Sequence, residues 1–305
     1  MSAIDLYCGA GGWSEGLRQA GLKVLLGVDI WKTAIESYNR NGFNGYLGDC
    51  LGIIPDVKPN VMVGSPECKQ YSTANPYVKE VDTTQVRRFF QLVKERKPRF
   101  WVMENVIPAL KHIKHLLPRP VVVQKIDCAD YGVPQHRRRL FVSNFRFTLK
   151  KREPIPLKDV LPSVKTFWNR HFDNKNGPAF YPSSRPATTL IAMNAQAMMV
   201  SESVEIAEPA YYQKENVQRW MVHHPRLRMD RPSNTITAHA GRDRRNLIHP
   251  EEWRILTPEE CALIQGFPLG YVFVGAYTTK FKQIGNAVPP PIARQIGEDI
   301  LERLR

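Results

Sequence analysis

The sequence predicts an α/β fold, in which a doubly wound, mostly parallel Rossmann-like sheet is joined to a second, smaller and irregular domain. Two observations predict this fold class. Up to about residue 150, short apolar runs alternate with amphipathic runs of helical length, which is the pattern of parallel strands connected by crossover helices. After residue 150, prolines cluster, aromatic residues are interleaved and helical periodicity fades, so a less regular domain is expected there.

The elements of the predicted sheet follow one another before residue 150. Apolar runs rich in β-branched residues are assigned to strands, and the amphipathic runs between them to helices. In chain order the predicted elements are strand Ala3–Tyr7, helix Ser14–Ala20, strand Val24–Val28, helix Thr33–Asn41, strand Val61–Gly64, helix Thr83–Lys97, and strands Phe100–Met103, Val121–Ile126 and Leu140–Phe145. Ligands of such sheets bind outside the carboxyl ends of the strands, so the loops there are candidate sites.

Two helices are predicted near the end of the chain. Thr257 is a suitable N-cap, Pro258 occupies the first helical position, and Glu260 stands three residues after Thr257, which together form a capping-box sequence. The last helix spans about Pro290–Leu304 and is amphipathic. The capping sequence therefore fixes where the first of these helices begins.

The composition limits the class of protein. Of 305 residues, 43% are hydrophobic and 24% charged, which is an ordinary globular composition. No apolar run reaches the roughly 18–20 residues that span a bilayer, and the N-terminus lacks the pattern of a secretion signal. We expect a cytoplasmic protein, nucleoid-associated in a prokaryote, with no membrane partner. The formal net charge of +14 favours a nucleic acid partner, and a basic protein without that role is the alternative.

One of the five cysteines stands out by its place in the sequence. The number is odd and no two cysteines form a CxxC pair, so neither a disulfide framework nor a metal site is expected. Cys68 lies in a loop that follows the strand Val61–Gly64, and the neighbouring Lys69 favours the thiolate, which is the nucleophilic form. An inert thiol is the alternative for a single loop cysteine.

The loop after the first strand is rich in glycine. In Asp5–Gly12, the glycines allow the backbone to approach a ligand closely and leave helix N–H groups facing it. Asp29, at the end of the second strand, can accept hydrogen bonds from a ribose, and Asp49 can receive an amino group of adenine. Ordinary loop capping is the alternative for each aspartate. The three features together favour a nucleotide-like ligand.

Charged residues also stand where buried strands are predicted. Glu104 directly follows the strand Phe100–Met103, where a carboxylate is costly unless it is paired or functional. Gln135–Arg139 enters the last predicted strand, and strand alternation would place Arg137 and Arg139 on one side. A surface glutamate and a solvated basic face are the alternatives.

These segments together resemble the motifs of the cytosine-C5 DNA methyltransferases, in that family's order and over most of the chain. The similar segments are Asp5–Gly12, the loop around Cys68, Glu104–Val106, Gln135–Arg139, Arg231–Thr237, Leu256–Cys261, Gln265–Pro268 and Gln283–Pro290. Each motif is weak by itself, but their occurrence in order makes coincidence implausible. A nicotinamide-dependent Rossmann oxidoreductase is disfavoured, because the first loop lacks the GxGxxG spacing and the later motifs would go unexplained.

The resemblance implies a class I methyltransferase that transfers a methyl group from S-adenosylmethionine to carbon 5 of cytosine. Cys68 would add to carbon 6 of a base flipped out of the duplex. Glu104 would hydrogen-bond or protonate N3, and either Arg137 or Arg139 would stabilise O2. The implied cofactor residues are Tyr7 and Asp49 at the adenine, Asp29 on the ribose, Gly9 and Gly11 near the methionine portion, and Asn286.

The resemblance also implies a division of labour along the chain. Residues 1–150 plus 281–305 would form the catalytic domain that binds the cofactor, and residues 151–280 the target-recognition domain. The residues implied in nucleic-acid contact are Ser72, Arg231, Arg242, Arg244 and Arg245. The expected substrate is duplex DNA, modified by a monomer that acts alone or beside a cognate restriction endonuclease. The same chemistry on tRNA or other RNA, and a silent DNA-binding relative, are the alternatives.

The loop around Cys68 departs from the family pattern on both sides of the cysteine. The residue before it is usually proline and here is Glu67, and the residue after it is usually glutamine and here is Lys69. A carboxylate beside the thiol opposes thiolate formation, whereas the lysine favours it. Because Cys68 and Glu104 are both present with the two arginines, we expect an active enzyme.

Overall fold

The computed structural model describes residues 1–52, 54–67, 81–161, 168–173, 177–182, 226–238, 247–251 and 255–304. Their strands are β1 (Ser2–Leu6), β2 (Lys23–Asp29), β3 (Gly45–Leu47), β4 (Val61–Gly64), β5 (Phe100–Asn105), β6 (Val122–Asp127), β7 (Arg138–Ser143), β8 (Trp168–Asp173) and β9 (Gly177–Pro182). Their α-helices are α1 (Gly12–Gln19), α2 (Lys32–Arg40), α3 (Thr84–Arg96), α4 (Leu110–Ile113), α5 (Pro258–Gln265), α6 (Tyr277–Asn286) and α7 (Pro290–Glu302).

Within the described residues, seven strands form one sheet in the order β3-β2-β1-β4-β5-β7-β6. The neighbours from β3 to β5 are parallel, whereas β7 runs antiparallel to both β5 and β6. The winding of the sheet reverses between β1 and β4, and at such a point the carboxyl ends of the strands leave a crevice. The predicted α/β fold with a mostly parallel sheet is therefore confirmed.

The structure adds three features that the sequence does not predict. β3 has three residues, too few for a periodic pattern. β5 continues through Glu104, which pairs with Phe141 of β7, so this carboxylate lies inside the strand and not after it. β8 and β9 form an antiparallel pair in the region expected to be irregular.

Helices cover both faces of the sheet, which explains why β4 and the first four residues of β5 are apolar. On one face, Trp13 and Leu17 of α1 pack with Ile292 and Ile296 of α7. On the other face, α3 contributes Phe89 and Leu92, which pack against β1 and β4. The sheet is thus held between two apolar layers, and polar side chains concentrate at its carboxyl edge.

A third apolar cluster joins the segment 226–238 to the last helices. Leu227 and Ile236 pack with Phe267 and with Phe281 and Ile284 of α6. Residues on both sides of the predicted boundary at residue 280 therefore share one core. The division into residues 1–150 plus 281–305 and residues 151–280 remains a prediction.

The capping box predicted for α5 is confirmed. The hydroxyl of Thr257 accepts the backbone N–H of Glu260 at 3.1 Å, and the Glu260 carboxylate accepts the N–H of Thr257 at 2.8 Å. The last helix also begins at Pro290 as predicted and ends at Glu302. No helix in the described part of the chain combines the length and the hydropathy needed to cross a bilayer.

Candidate active site

A cavity of about 440 Å³, a size typical of small-molecule sites, opens at the carboxyl ends of the parallel strands. Its wall is built by the segments that follow β1 to β5, by the start of β7 and by the end of α6. The residues of this wall include Tyr7, Gly9, Asp29–Trp31, Asp49, Ser65–Glu67, Glu104–Val106, Arg137, Arg139, Lys282 and Asn286. Most of the predicted catalytic and cofactor residues therefore meet in one place.

The loop after β1 turns through left-handed backbone at Tyr7, Gly9 and Gly11, whose φ angles are 57°, 53° and 100°. A Cβ on Gly9 would meet no atom within 4 Å, so the backbone here faces open space in the cavity. A Cβ on Gly11 would instead lie 2.7 Å from the hydroxyl of Tyr271, so Gly11 packs against this tyrosine. Glycine adopts left-handed backbone at least cost, which is why both positions suit it.

Asp29 is held at the end of β2 by two backbone N–H groups. Gly9 donates to Oδ2 at 2.8 Å, and Trp31 donates to Oδ1 at 2.8 Å. Burial raises the pKa of Asp29, and these two hydrogen bonds oppose that rise. The backbone therefore orients the carboxylate toward the cavity without the help of another side chain.

The remaining cofactor candidates surround the same space. The hydroxyl of Tyr7 donates to the carbonyl of Gln85 at 3.0 Å, and burial raises the pKa of this phenol. The Asp49 carboxylate accepts the N–H of Leu51 at 2.9 Å. Asn286 is exposed at the last position of α6 and also lies in the cavity wall.

Glu104 and Arg139 form an ion pair on adjacent strands. The Arg139 Nε lies 3.0 Å from Oε1 of Glu104, and the two side chains are only 14% and 9% exposed. Both residues belong to the cavity wall. A buried carboxylate and a guanidinium thus stand side by side, where each is stabilised by the other's charge.

Arg137 lies in a different environment from Arg139, although strand alternation groups them. It is 1% exposed, and its guanidinium donates to the carbonyls of Ile236 at 2.9 Å, Gly285 at 2.7 Å and Ala287 at 3.1 Å. These bonds link the residue just before β7 to the end of α6 and to the segment 226–238. Arg137 therefore joins three parts of the chain at the floor of the cavity.

The loop after β4 is fixed just before the predicted nucleophile. The Asn105 amide donates to the carbonyl of Pro66 at 3.1 Å, and the indole N–H of Trp13 donates to the hydroxyl of Ser65 at 3.1 Å. Glu67 is the last described residue of this loop and lines the cavity. Cys68 itself lies outside the described residues, and so does Ser72.

The predicted nucleic-acid residues are described only in part. Arg231 is exposed in the segment 226–238, and its Nε lies 3.4 Å from a carboxylate oxygen of Asp230. Arg242, Arg244 and Arg245 lie outside the described residues. Their roles stay predictions.

Comparison with known proteins decides the family. A family model of the C-5 cytosine-specific DNA methylases matches residues 1–302. The chain belongs to this family. The resemblance drawn from the motifs is confirmed, and so is the predicted enzyme class, a DNA (cytosine-5-)-methyltransferase.

Relatives of this methylase match over nearly its whole length. Type II methyltransferase M1.HphI of Haemophilus parahaemolyticus is 27% identical, and the match covers 99% of this chain and 87% of that protein. Type II methyltransferase M.Eco47II of Escherichia coli is 28% identical, with coverages of 99% and 79%. These names agree with the predicted role in DNA methylation and restriction–modification.

Solved structures share the fold of the methylase. A DNA modification methyltransferase encoded within an E. coli prophage superposes with a TM-score of 0.73 at 22% identity, covering 100% of this chain and 99% of that one. The S. pombe Dnmt2 methyltransferase superposes with a TM-score of 0.65 at 16% identity, with coverages of 100% and 99%. At these identities the likeness shows the fold alone.

Trp31 and Lys282 line the cavity of the methylase but were not predicted as site residues from the sequence. The ammonium of Lys282 lies 4.4 Å from the centre of the Trp31 ring, a cation–π contact between the start of α2 and α6. Both residues line the cavity. Their positions next to predicted site segments were a signal in the sequence, because Trp31 follows Asp29 closely and Lys282 directly precedes the motif Gln283–Pro290. Their contact was not predictable, because 250 residues separate them and sequence patterns are local.

Proposed function

We propose that this methylase transfers a methyl group from S-adenosylmethionine to carbon 5 of a flipped cytosine in duplex DNA, through a covalent bond between Cys68 and carbon 6. One observation carries the proposal. The Glu104–Arg139 ion pair and the hydrogen-bonded pair of Gly9 and Asp29 line one cavity. The loop Ser65–Glu67, which Asn105 holds through the Pro66 carbonyl, also lines this cavity and is followed in the sequence by Cys68. Base chemistry and methyl donor would meet there.

The residues on one side of the cavity fit the cofactor. Open space faces the Gly9 backbone, and Asp29 is oriented at the strand end where ribose hydroxyls can donate to its remaining lone pairs. Tyr7 and Asp49 would receive the adenine, and Asn286 would lie near the cofactor. S-adenosylmethionine, when bound, supplies an electrophilic methyl group on a positively charged sulfur.

The other side of the cavity fits the cytosine. Addition of a thiolate to carbon 6 moves negative charge toward N3 and O2 of the ring. Glu104 in its protonated form would donate a hydrogen bond to N3, and the Arg139 guanidinium beside it would stabilise O2. We assign Arg137 a positioning role instead, because its guanidinium donates to three backbone carbonyls and joins the chain just before β7 to the end of α6.

The other cysteines support Cys68 as the nucleophile. The thiolate is the reactive form of cysteine, and burial disfavours it. Cys8, Cys50, Cys128 and Cys261 are all buried. Burial raises the pKa of Cys50 and of Cys128 to about 12, so these thiols stay protonated at neutral pH.

Duplex DNA is the substrate that best fits the charge of the chain. The formal net charge is +14, and extrusion of a base costs a few kcal/mol that phosphate contacts offset. We propose that Ser72, Arg231, Arg242, Arg244 and Arg245 supply such contacts. The enzyme would act as a cytoplasmic monomer, the modification partner of a restriction endonuclease.

Methyl transfer tests the proposal directly. The wild-type protein is incubated with S-adenosylmethionine labelled on the methyl group and with duplex DNA or tRNA, and label on carbon 5 of cytosine is expected in the DNA. In DNA that carries 5-fluorocytosine, mass spectrometry should find the base attached to Cys68. Cys68→Ser should lose both signals and keep cofactor binding, whereas Cys261→Ala, which removes a buried thiol outside the cavity, should keep them.

Two results would contradict the proposal. Label in tRNA with none in duplex DNA would move the substrate to RNA. Methyl transfer by Cys68→Ser at the wild-type rate would exclude Cys68 as the nucleophile.

A further inference from the structure

Two buried glutamine side chains connect the segment 226–238 to the cavity wall. The backbone N–H of Ile236 donates to Oε1 of Gln135 at 2.8 Å, and Nε2 of Gln135 donates to Oε1 of Gln265 at 2.6 Å. Nε2 of Gln265 then donates to the carbonyl of Ala287, again at 2.6 Å. Both glutamines are fully buried, so water does not compete for these hydrogen bonds. The chain of bonds has a backbone donor at one end and a backbone acceptor at the other, which fixes the orientation of each amide.

Arg137 closes this chain of hydrogen bonds into a ring. Its guanidinium donates to the carbonyl of Ile236 at 2.9 Å and to that of Ala287 at 3.1 Å. Ile236 is therefore held through its N–H and through its C=O. Arg137 and Ala287 line the cavity, whereas neither Gln135 nor Gln265 is among the described residues of the cavity wall. The two glutamines thus act on the site only through other groups.

The segment 226–238 also touches the end of α6 by a close backbone contact. A Cβ added to Gly285 would lie 2.3 Å from the carbonyl carbon of Thr237 and 2.4 Å from the nitrogen of Ala238. These distances are shorter than van der Waals contact, so only a glycine lets the two backbones approach in this way. Gly285 is a residue of the cavity wall. The segment is therefore fixed against the wall by the hydrogen-bonded ring and by this contact together.

We propose that Gln135 and Gln265 are positioning residues, which hold the start of the DNA-contacting part of the chain against the cavity. This inference rests on the proposed function, in which arginines a few residues after Ile236 contact DNA. Because the ring fixes Ile236 to the cavity wall, it sets where those contacts begin. Loss of the ring leaves the phosphate contacts available but displaces the flipped base from the reacting groups. A displacement of about 1 Å can slow a reaction by about 10²-fold.

Separate measurements of binding and turnover on the full chain test the inference. Gln265→Met keeps the length of the side chain and removes both of its hydrogen bonds. We expect its kcat on sheared, unmethylated duplex DNA to fall by roughly 30–100-fold, because the base is misplaced. The dissociation constant for the same DNA, measured by fluorescence anisotropy, should stay within about twofold, since phosphate contacts dominate DNA affinity. The constant for S-adenosylmethionine, measured by calorimetry, should also be unchanged.

Gln295 provides a matched control. Its Oε1 accepts the backbone N–H of Lys150 and its Nε2 donates to the carbonyl of Tyr131, both at 2.8 Å. It is buried and lies outside the described cavity wall. Gln295→Met therefore loses the same kinds of hydrogen bond as Gln265→Met and should lower the urea midpoint by a similar amount. Its kcat should equal that of the wild type, whereas a merely structural role for Gln265 predicts equal kcat in the two variants.

Gln135→Met interrupts the ring at the neighbouring link and provides a second variant if Gln265→Met folds poorly. Urea unfolding identifies the temperature at which each variant is folded, and all assays are run there. Gln135→Met should show the same pattern, a lower kcat at unchanged affinities. The double variant should lose no more kcat than the more impaired single variant, because both residues belong to one chain of hydrogen bonds.

The possible outcomes distinguish the inference from the proposed function. A kcat in both ring variants equal to that of Gln295→Met would overturn the positioning role, and so would weaker DNA binding at unchanged kcat. Losses that multiply in the double variant would show that the two glutamines act separately, which also overturns it. If the wild type transfers no methyl group to duplex DNA, the proposed function itself fails. A loss of kcat at unchanged affinities, confined to Gln135 and Gln265, supports the inference.

Discussion

The two sides of the cavity are built by different means. On the cofactor side, the ligand-facing groups are backbone and carboxylates held by backbone, as in the Gly9 and Trp31 N–H groups that fix Asp29. On the base side, side chains hold one another, as in the Glu104–Arg139 ion pair. One side thus depends on the conformation of a loop, and the other on the identity of a few buried charged residues.

Because the two sides are built differently, substitutions disrupt them in different ways. Where backbone sets the geometry, a substitution acts through φ angles and loop shape. Where buried side chains set it, a substitution leaves charges or carbonyls without partners, which is costly in a medium of low polarity. Substitutions on the two sides are therefore expected to differ in the size of their effects and in whether stability, kcat or cofactor binding changes.

The largest effect is expected from the two arginines of the base side. Arg137→Lys keeps the charge but cannot reach three carbonyls, and each buried carbonyl left unpaired costs about 1–3 kcal/mol, so we expect the free energy of unfolding to fall by about 3 kcal/mol. Arg139→Lys should lose about 1 kcal/mol or less, since an ammonium can still pair with Glu104. Its kcat should fall by roughly 10²–10³, because the donor to O2 is displaced.

Urea unfolding and steady-state kinetics on both variants measure these effects. The wild-type protein in the same buffers is the reference. Equal loss of stability in the two variants would erase the distinction between a positioning arginine and one that touches the base.

The free energy of unfolding is expected to depend on pH through Asp5, a buried residue of β1. Asp5 is buried and accepts the Ser14 hydroxyl at 2.7 Å, and burial raises its pKa from 3.8 to about 7. The folded state therefore keeps a proton that the unfolded state releases, and this residue's contribution to stability falls as pH rises from about 4 to about 7. Asp5→Asn removes that loss, so its stability relative to the wild type should improve by about 2 kcal/mol between pH 5 and pH 7.

Urea midpoints at pH 5, 6, 7 and 8 test this prediction. Asp159→Asn, which removes an exposed carboxyl, is the control. A difference between Asp5→Asn and the wild type that stays constant with pH would show that Asp5 ionises alike in the folded and unfolded chains.

The smallest effect is expected at Gly9. Its φ of +53° costs a residue with a side chain about 1–2 kcal/mol, although a Cβ there would meet no protein atom. Gly9→Ala should lower the free energy of unfolding by about 1 kcal/mol and also weaken S-adenosylmethionine binding, because the methyl group enters the cavity.

Gly270 provides a matched control for that variant. It has a φ of +82° and equally open surroundings, and it lies outside the cavity wall. Gly270→Ala should therefore lose similar stability and bind the cofactor normally. Equal cofactor affinity in the two variants would mean that the Gly9 backbone does not face the ligand.

Much of the molecule was predictable from its sequence, because the signals are local. Strand–helix alternation predicts the α/β fold, and the sequence at Thr257–Glu260 predicts the capping box, since both depend on neighbours in the chain. The motifs also predict the family and the residues that gather in the cavity. The direction of β7 was not predictable, because the residues of a strand carry no record of which way it pairs.

The residue types available for chemistry can be read from the sequence, whereas the contacts that each of them makes arise only in the folded chain. Arg137 and Arg139 are separated by one residue, and strand alternation predicts one side for both, yet one joins three backbone segments and the other pairs with Glu104. Trp31 and Lys282 meet although most of the chain lies between them. Such contacts form through packing between distant segments, so local patterns cannot encode them.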